Sequence, residues 1–426
     1  MGDTTMKIKV QKYGGSSVAD QNKLKHVARR IVEARHPGYG IVVVVSAMGD
    51  TTEELLQVAQ GLSKAPDRRE LDMLLSSGER ISTALLTLAI QNMGQDAISL
   101  TGAQSGIVTC DRHFNAEIDH VDPQRILEEL EQGKIVVVAG FQGASPEGET
   151  TTLGRGGSDT TAVALAAALE AERCEIFSDV DGVFTADPRI VEEARPLEVI
   201  DYEEMLELAR HGAGVLKTDA VQHARDLGVV LRAASTFSEA PGTIVTDLGD
   251  ERGQELEVRG VACHRELIRV AMEPCEELHK KVLAAGGSPE VYLDGPYRNG
   301  TSDERHEVLV KPENVADAAV LQEALFEQFG SRVEVETGIG SVSVIGWGLG
   351  NAEEPRRSFE QLGAQVGSAN GRHVASDHSL TYLLESELVE STARTLHGKL
   401  VTSSLAAAKA SAEGRLDEQW KGRPSA

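Results

Sequence analysis

Aromatic residues are scarce in this chain: 2 Trp, 6 Tyr and 8 Phe make up 4% of its 426 residues. So few rings give no stacking platform for single-stranded nucleic acid. Positive charge is also short, with 42 Lys and Arg against 67 Asp and Glu and a formal net charge of −25. Nucleic acid and anionic membrane surfaces both need clustered positive charge, so neither is expected as a partner. The acidity itself serves solubility. The 4 cysteines, Cys110, Cys174, Cys263 and Cys275, form no CxxC pair and no metal-spaced set. That suits a reducing, cytoplasmic setting and gives no zinc or redox centre. Apolar runs such as 41–45 and 135–139 have strand length only, too short to cross a bilayer. The first residues lack the apolar run of a secretory signal, so none is expected. There is no GxxxxGK[ST], which excludes a P-loop.

What is present is an alternation of strand and helix patterns from residue 7 to about residue 245. Strands are expected at 8–11, 41–45, 97–99 and 135–139, and helices at 21–34, 52–62, 67–93 and 123–132. Short β-branched runs between helical segments predict a mainly parallel α/β sheet covered on both faces, a three-layer sandwich. Ligands of such sheets sit beyond the carboxyl ends of the strands. Lys12, Ser46, Gln142 and Asp179 each follow a predicted strand and are therefore expected on one rim. A polar linker is read at 247–256. Smaller units follow, with strands at 267–272, 290–293, 306–310 and 332–336 and helices at 276–285 and 315–329, a βαββαβ pattern. A weaker copy begins with a strand at 341–346 and continues with helices at 354–362 and 391–400 and strands at 373–375 and 379–384. The expected boundaries are 1–246, 257–338 and 339–405, with a frayed tail at 406–426.

Two segments carry most of the chemistry. Thr152-Leu153-Gly154-Arg155-Gly156-Gly157-Ser158-Asp159 runs straight into an apolar helix. A glycine-rich turn opening a helix aims backbone N–H groups and the helix dipole at an anion, and Arg155 adds a fork for a carboxylate or phosphate. The second segment, 177–189, supplies Ser178, Asp179, Phe184, a rigid Asp187-Pro188 turn and Arg189. Those parts suit ribose, base and polyphosphate, or turn chemistry alone. Lys12, followed by Tyr13, Gly14 and Gly15, is either a cation on a transferring phosphoryl group or a solvated turn lysine. Ser46 and Thr52 are either ligand donors or, for Thr52, a helix cap. Glu79 is either a surface residue of its helix or the partner of a bound ammonium. Arg155 and Glu79 together suit a zwitterion whose free carboxylate, already ionised, needs positioning and charge neutralisation but no general base.

These motifs resemble the aspartate kinases of the amino-acid kinase superfamily. The likeness rests on Lys12 to Val18, Val44 to Met48, Gly78-Glu79, Ser99 to Gly102, Thr152 to Thr160 and Ser178 to Arg189, six motifs in order over about 235 residues. The resemblance implies the amino-acid kinase fold and transfer of a phosphoryl group from ATP to L-aspartate, giving 4-phospho-L-aspartate. It also implies aspartate contacts by Ser46, Thr52, Glu79, Arg155, Gly156, Gly157 and Ser158. ATP contacts would come from Lys12, Tyr13, Gly14, Gly15, Ser178, Asp179, Phe184 and Arg189. Lys12, Arg155 and Asp159 would serve catalysis, Asp159 by organising the phosphate-binding cations, with Mg2+ arriving on the nucleotide and no protein metal cage. The C-terminal half resembles paired ACT regulatory domains, small α+β ferredoxin-like modules, which implies a homo-oligomer paired through them.

The departures are specific. The family's Gly-Ala-Lys-Val-Leu-His-Pro stretch reads Gly212-Ala213-Gly214-Val215-Leu216-Lys217-Thr218 here. A lysine is thus lost at 214, and whether Lys217 substitutes depends on where the next helix starts. A catalytically impaired paralogue that senses an amino acid or nucleotide is the second expectation. The effector turns also depart, at Glu273-Pro274-Cys275-Glu276 and Trp347-Gly348-Leu349-Gly350-Asn351, which implies weakened or altered feedback by lysine and threonine.

Overall fold

The computed structural model describes residues 6–154, 156–249, 258–272, 282, 306–312, 318–349, 359 and 373–401. The described residues fall into two compact units. The first comprises Met1–Val183, Pro196–Tyr202 and Val215–Leu248, and the second Phe184–Arg195, Glu203–Gly214 and Gly249–Ala426.

In the first unit the strands run β1 (Lys7–Tyr13), β2 (Tyr39–Val45), β3 (Ala97–Leu100), β4 (Ile107–Thr109), β5 (Ile118–Val121) and β6 (Ile135–Ala139). They continue with β7 (Gln142–Ala144), β8 (Thr150–Thr152), β9 (Arg173–Ser178), β10 (Val199–Asp201), β11 (Leu231–Ser235) and β12 (Thr243–Thr246). The main sheet has the order β10-β12-β11-β9-β1-β2-β6-β3. Its central pairings are all parallel; only β11 and β12 run antiparallel. The helices of this unit are α1 (Gln21–Glu33), α2 (Thr51–Leu62), α3 (Arg68–Gln91), α4 (Gln124–Glu131), α5 (Gly157–Ala168) and α7 (Thr218–Leu227), while α6 (Tyr202–Arg210) belongs to the second unit from Glu203 onward.

The central strands are buried on both faces, which is why they read as unbroken apolar runs. Ile41, Val43 and Val45 of β2 pack with Leu24, Val27 and Ile31 of α1 and Leu86 and Ile90 of α3. Val42 and Val44 point to the opposite face and are equally sealed from solvent, and α5 packs against β1, β2 and β9. Each buried valine contributes roughly 1.5–3 kcal/mol, so this layer alone holds the sheet between its helices. A second, four-stranded sheet, β5-β4-β7-β8, was not expected. Its strands are three or four residues long and sit in polar, turn-rich sequence, so no period-2 signal marks them.

In the second unit, β13 (Val258–Met272), β14 (His306–Val310), β15 (Val333–Gly346), β16 (His373–Ala375) and β17 (Ser379–Glu385) form one sheet of order β14-β13-β15-β17-β16. The strands expected at 332–336 and 341–346 are one continuous strand here. Gly338, at φ +74°, adopts a left-handed conformation between them without ending it. The first half of β13 pairs with the second half of β15, and the second half of β13 with the first half of β15. The two expected modules therefore share a sheet while keeping separate cores. One core gathers Ile268, Val270, Val308, Leu321 and Leu325; the other gathers Val258, Val261, Val342, Val344, Tyr382 and Leu396. Trp347 stacks on His378 at 4.2 Å. The linker at 250–256, the strand at 290–293, most of the helices at 276–285 and 354–362, the turn Glu273–Glu276, Gly350, Asn351 and the tail at 406–426 lie outside the described residues. No helix among the described residues is long and apolar enough to cross a membrane.

Candidate active site

Parallel register brings Lys12 and Ser46 of the predicted rim side by side, with Asp179 just past β9, whereas Gln142 opens β7 of the second sheet, buried and donating to the Ser76 carbonyl at 2.9 Å. Tyr13 of β1 lies opposite Val45 of β2 and Phe177 of β9, and Val45 opposite Ala139 of β6. Lys12 is the penultimate residue of β1, Ser46 follows β2 and Ser178 closes β9, so all three stand at the carboxyl edge. Lys12 Nζ meets Asp159 Oδ1 at 2.5 Å, with the two side chains 12% and 9% exposed. Asp159 lies in the first turn of α5, where the helix dipole favours a negative charge. A Cβ on Gly14 would stand 3.4 Å from Lys12 Nζ, and one on Gly15 would stand 2.9 Å from the carbonyl oxygens of both Ala47 and Gly49. The two loops are laced together by Ser46 N–H donating to the Tyr13 carbonyl at 3.1 Å and Gly49 N–H to the Gly15 carbonyl at 3.1 Å. Tyr13 itself turns inward: its ring is fully buried and stacks on Phe177 at 4.9 Å. Only its backbone reaches the rim.

Glu79 is not on a solvated helix face. It is 3% exposed, and its Oε1 accepts the Ala47 N–H at 3.0 Å. Its Oε2 is buried with no hydrogen-bond partner. Burial, partly offset by the Ala47 bond, pushes the Glu79 carboxyl up to about 7. Gly78 makes this approach possible, since a Cβ there would lie 2.8 Å from the Ala47 Cβ. Ser82 Oγ, four residues along from Gly78, donates to the Ser46 carbonyl at 2.7 Å. Thr52 does not cap its helix. Asp50 holds the cap position of α2, without a side-chain cap bond, and Thr52 lies in the first turn, half-buried.

The glycine loop leads into α5 through Gly156, left-handed at φ 76°, followed by Gly157 and Ser158. Gly157 N–H donates to the Gly154 carbonyl at 3.0 Å, and Asp159 N–H to the Gly156 carbonyl at 2.9 Å. Ser158 Oγ comes within 2.7 Å of where a Cβ on Gly140 would be, so Gly140, just past β6, is bare to admit it. Arg155 lies outside the described residues. Of the nucleotide loop, Ser178 is half-buried and Asp179 exposed, and the Ser178 carbonyl accepts the Thr236 N–H at 2.7 Å. Phe184 and Arg189 belong to the second unit. There Arg189 grips Asp187 with two nitrogens, its Nη2 2.7 Å from Oδ2. That guanidinium holds the Asp187 carboxyl below its usual range despite partial burial.

Two features escaped the sequence reading. Asp72 of α3 is fully buried. It accepts from Thr152 Oγ1 and from the Phe114 N–H at 3.0 Å, and it bonds His113 Nδ1 at 2.6 Å. It thereby ties α3 to β8 just before the glycine loop; an Asp in an amphipathic helix gives no sign of this. Phe141 takes φ 66° immediately after β6, a rare conformation for a large residue. Its N–H is held by Thr161 Oγ1 at 3.1 Å. Among the described residues no group of three or more His, Cys, Asp or Glu side chains is placed to hold a metal ion.

The amino acid kinase family model matches residues 7–232. The chain is 42% identical to the aspartokinase of Mycolicibacterium smegmatis over 402 residues, 92% of this chain and 96% of that one. It is 44% identical to the aspartokinase of Geobacillus stearothermophilus over 366 residues, 84% of this chain and 89% of that one. The structure of E. coli aspartokinase III in complex with aspartate and ADP matches with a TM-score of 0.72 at 26% identity, covering 92% of this chain and 100% of that chain. Motif order, rim geometry and similarity along nearly the whole length agree, and the chain belongs to the aspartokinases of the amino acid kinase family.

Proposed function

We propose that this chain transfers the γ-phosphoryl group of ATP to the side-chain carboxylate of L-aspartate, the entry step to lysine, threonine and methionine biosynthesis. The bond between Pγ and the β,γ-bridging oxygen breaks and its electron pair leaves on ADP. A bond from an aspartate side-chain oxygen to Pγ forms, and no proton has to move. The observation that carries the reading is Glu79, a buried carboxylate with one oxygen lacking a protein partner. A buried charge of that kind calls for a cation, and the α-ammonium of an amino acid supplies one. Arg155 then takes the α-carboxylate, while Ser46, Thr52, Gly156, Gly157 and Ser158 fix the remaining contacts.

Lys12, held by Asp159 at 2.5 Å, stands where the transferring phosphoryl group is expected, at the start of α5. Gly14, Gly15 and the Tyr13 backbone let the nucleotide approach, and Ser178 and Asp179 extend its site. Mg2+ arriving on the nucleotide would neutralise phosphate charge, and Asp159 would be the carboxylate to assist it. We also assign a cytoplasmic location and a homodimer paired through the ACT-like modules. The test is ADP release with Mg-ATP, with and without L-aspartate. Turnover that requires aspartate and disappears in Arg155→Ala is the expected result.

A second reading, a nucleotide- or amino-acid-sensing paralogue without turnover, is favoured by Gly214. A Cβ there would meet nothing within 4 Å, so the small residue is not demanded by packing. ATP binding without ADP release would select it.

A further inference from the structure

The reacting partners are both anionic, a polyphosphate and a dicarboxylate, so the charge balance of the first unit constrains where cations must stand. Lys12 is already matched by Asp159 at 2.5 Å, and Glu79 adds a further negative charge when ionised. Arg155 of the glycine loop is taken up by the α-carboxylate, so the phosphates ahead of α5 call for a further cation. Lys217 is placed to give it. A Cβ on Gly156 would lie 2.8 Å from Lys217 Cγ and 2.9 Å from Lys217 Cβ, so the lysine stem lies across the residue that caps α5. Gly156 is thus required twice, by its left-handed φ of 76° and by this crossing stem.

The root of Lys217 is fixed and its tip is not. Leu216, the preceding residue, is 2% exposed. Lys217 holds the cap position of α7 with extended backbone at φ −80° and ψ 137°, and its carbonyl accepts the Val221 N–H at 3.1 Å. Helix α7 packs along α5, which carries this cap to the anion-facing end of that helix. Beyond the fixed Cβ and Cγ the residue is exposed. Its ammonium has no ion-pair or hydrogen-bond partner among the described residues. A compact charge on a flexible stem, rooted beside a helix N-terminus, suits a phosphate oxygen.

We propose that Lys217, its stem laid across Gly156, binds the phosphates of the nucleotide over the first turn of α5. The proposal rests on the aspartokinase reading of this site. The role is electrostatic: as the electron pair moves onto the departing ADP oxygen, the ammonium stabilises the charge that collects there. No bond to Lys217 forms or breaks.

The experiment compares wild type with Lys217→Met, which keeps the stem and removes the charge, and Lys217→Arg, which keeps a cation. Steady-state ADP release gives kcat and KM, and calorimetry gives the affinities for ATP, ADP and adenosine. For Lys217→Met we expect kcat/KM for ATP to fall roughly 100-fold. Affinity should fall for ATP and ADP but not for adenosine, and Lys217→Arg should lose less than about 10-fold. Unchanged ATP affinity in Lys217→Met, or an equal loss for adenosine, overturns the proposal. Should Lys217→Met fail to fold, Lys217→Gln carries the same phosphate-against-adenosine comparison. The two readings separate cleanly. Wild-type turnover that Lys217→Met leaves intact removes Lys217 and keeps the kinase. Phosphate-dependent binding that Lys217→Met abolishes, without aspartate-dependent turnover in wild type, keeps Lys217 and removes the kinase.

Discussion

Glu79 in the first unit and Glu207 in the second are both buried helical glutamates, 3% and 8% exposed, yet their surroundings push them in opposite directions. Glu79 has a single backbone donor and an unpartnered oxygen, and burial raises its carboxyl to about 7. Glu207 is also penalised by burial, but bonds from His211, Ser379 and Arg210 outweigh it and hold the carboxyl far below the usual range. Ser376 Oγ adds a donor to Glu207 at 3.0 Å, and Ser343 Oγ satisfies His211 Nδ1 at 2.9 Å. A closed polar network fixes structure, whereas an open one leaves room for a ligand. The contrast sets the carboxylate proposed to bind substrate apart from one whose partners are all supplied by the fold.

The sharpest break of this comparison is at Lys12. Lys12→Met should reduce kcat at least about 1000-fold, and it should also destabilise the fold by roughly 3–5 kcal/mol because Asp159 is left buried and unpaired. Adding Asp159→Asn should restore much of the melting temperature but none of the activity. Recovery of both would mean that the pair is structural only.

Glu79→Gln separates binding from stability. We expect about a 100-fold loss in kcat/KM for aspartate, accompanied by a more stable ligand-free protein at pH 8. The sign follows from the raised carboxyl. Below pH 4.5 it is neutral both folded and unfolded, and up to about 7 the unfolded chain releases a proton that the folded one keeps. Stability therefore declines across that window, by roughly 3 kcal/mol in all, and the glutamine variant should be spared the decline. Urea melts of both proteins at pH 5 and pH 8 decide it; identical pH dependence sinks the assignment. In the same window kcat/KM for aspartate should rise about tenfold per pH unit to a plateau above 7, a limb that Glu79→Gln should lack. The smallest effect belongs to the closed network. Ser343→Ala leaves His211 short of a partner and should cost about 1–3 kcal/mol by thermal melting, with kcat within twofold of wild type.

The parts of the fold that were legible are those whose local pattern suffices. Residues 135–139 were expected as a strand and form β6 with those limits, because five apolar residues between Lys134 and Gly140 leave little alternative. The long helix was expected at 67–93 and runs Arg68–Gln91, with Asp67 capping it through its carboxylate. What escaped depends on partners distant in sequence. β7 and β8 are three residues each and exist only because they pair with one another and with β4. The motifs located the rim, but Tyr13 shares its motif with Lys12 and points the other way, since successive strand residues alternate faces. Glu79 reads as an ordinary helix carboxylate until Gly78 is seen against Ala47. The position of Lys217 turned on a single helix start, which composition does not specify.

The sheet of the second unit sets how that unit can be divided. β13 and β15 each serve both modules, Val258 to His264 pairing with residues from Ser341 onward, and Leu267 to Met272 with residues before Gly340. A truncation after residue 338 would not release a self-sufficient first module. It would strand Val258 and Val261 on an unpaired edge, a template for aggregation. The backbone amides of β13 should accordingly exchange with deuterium as one block along its length, the two modules opening together or not at all.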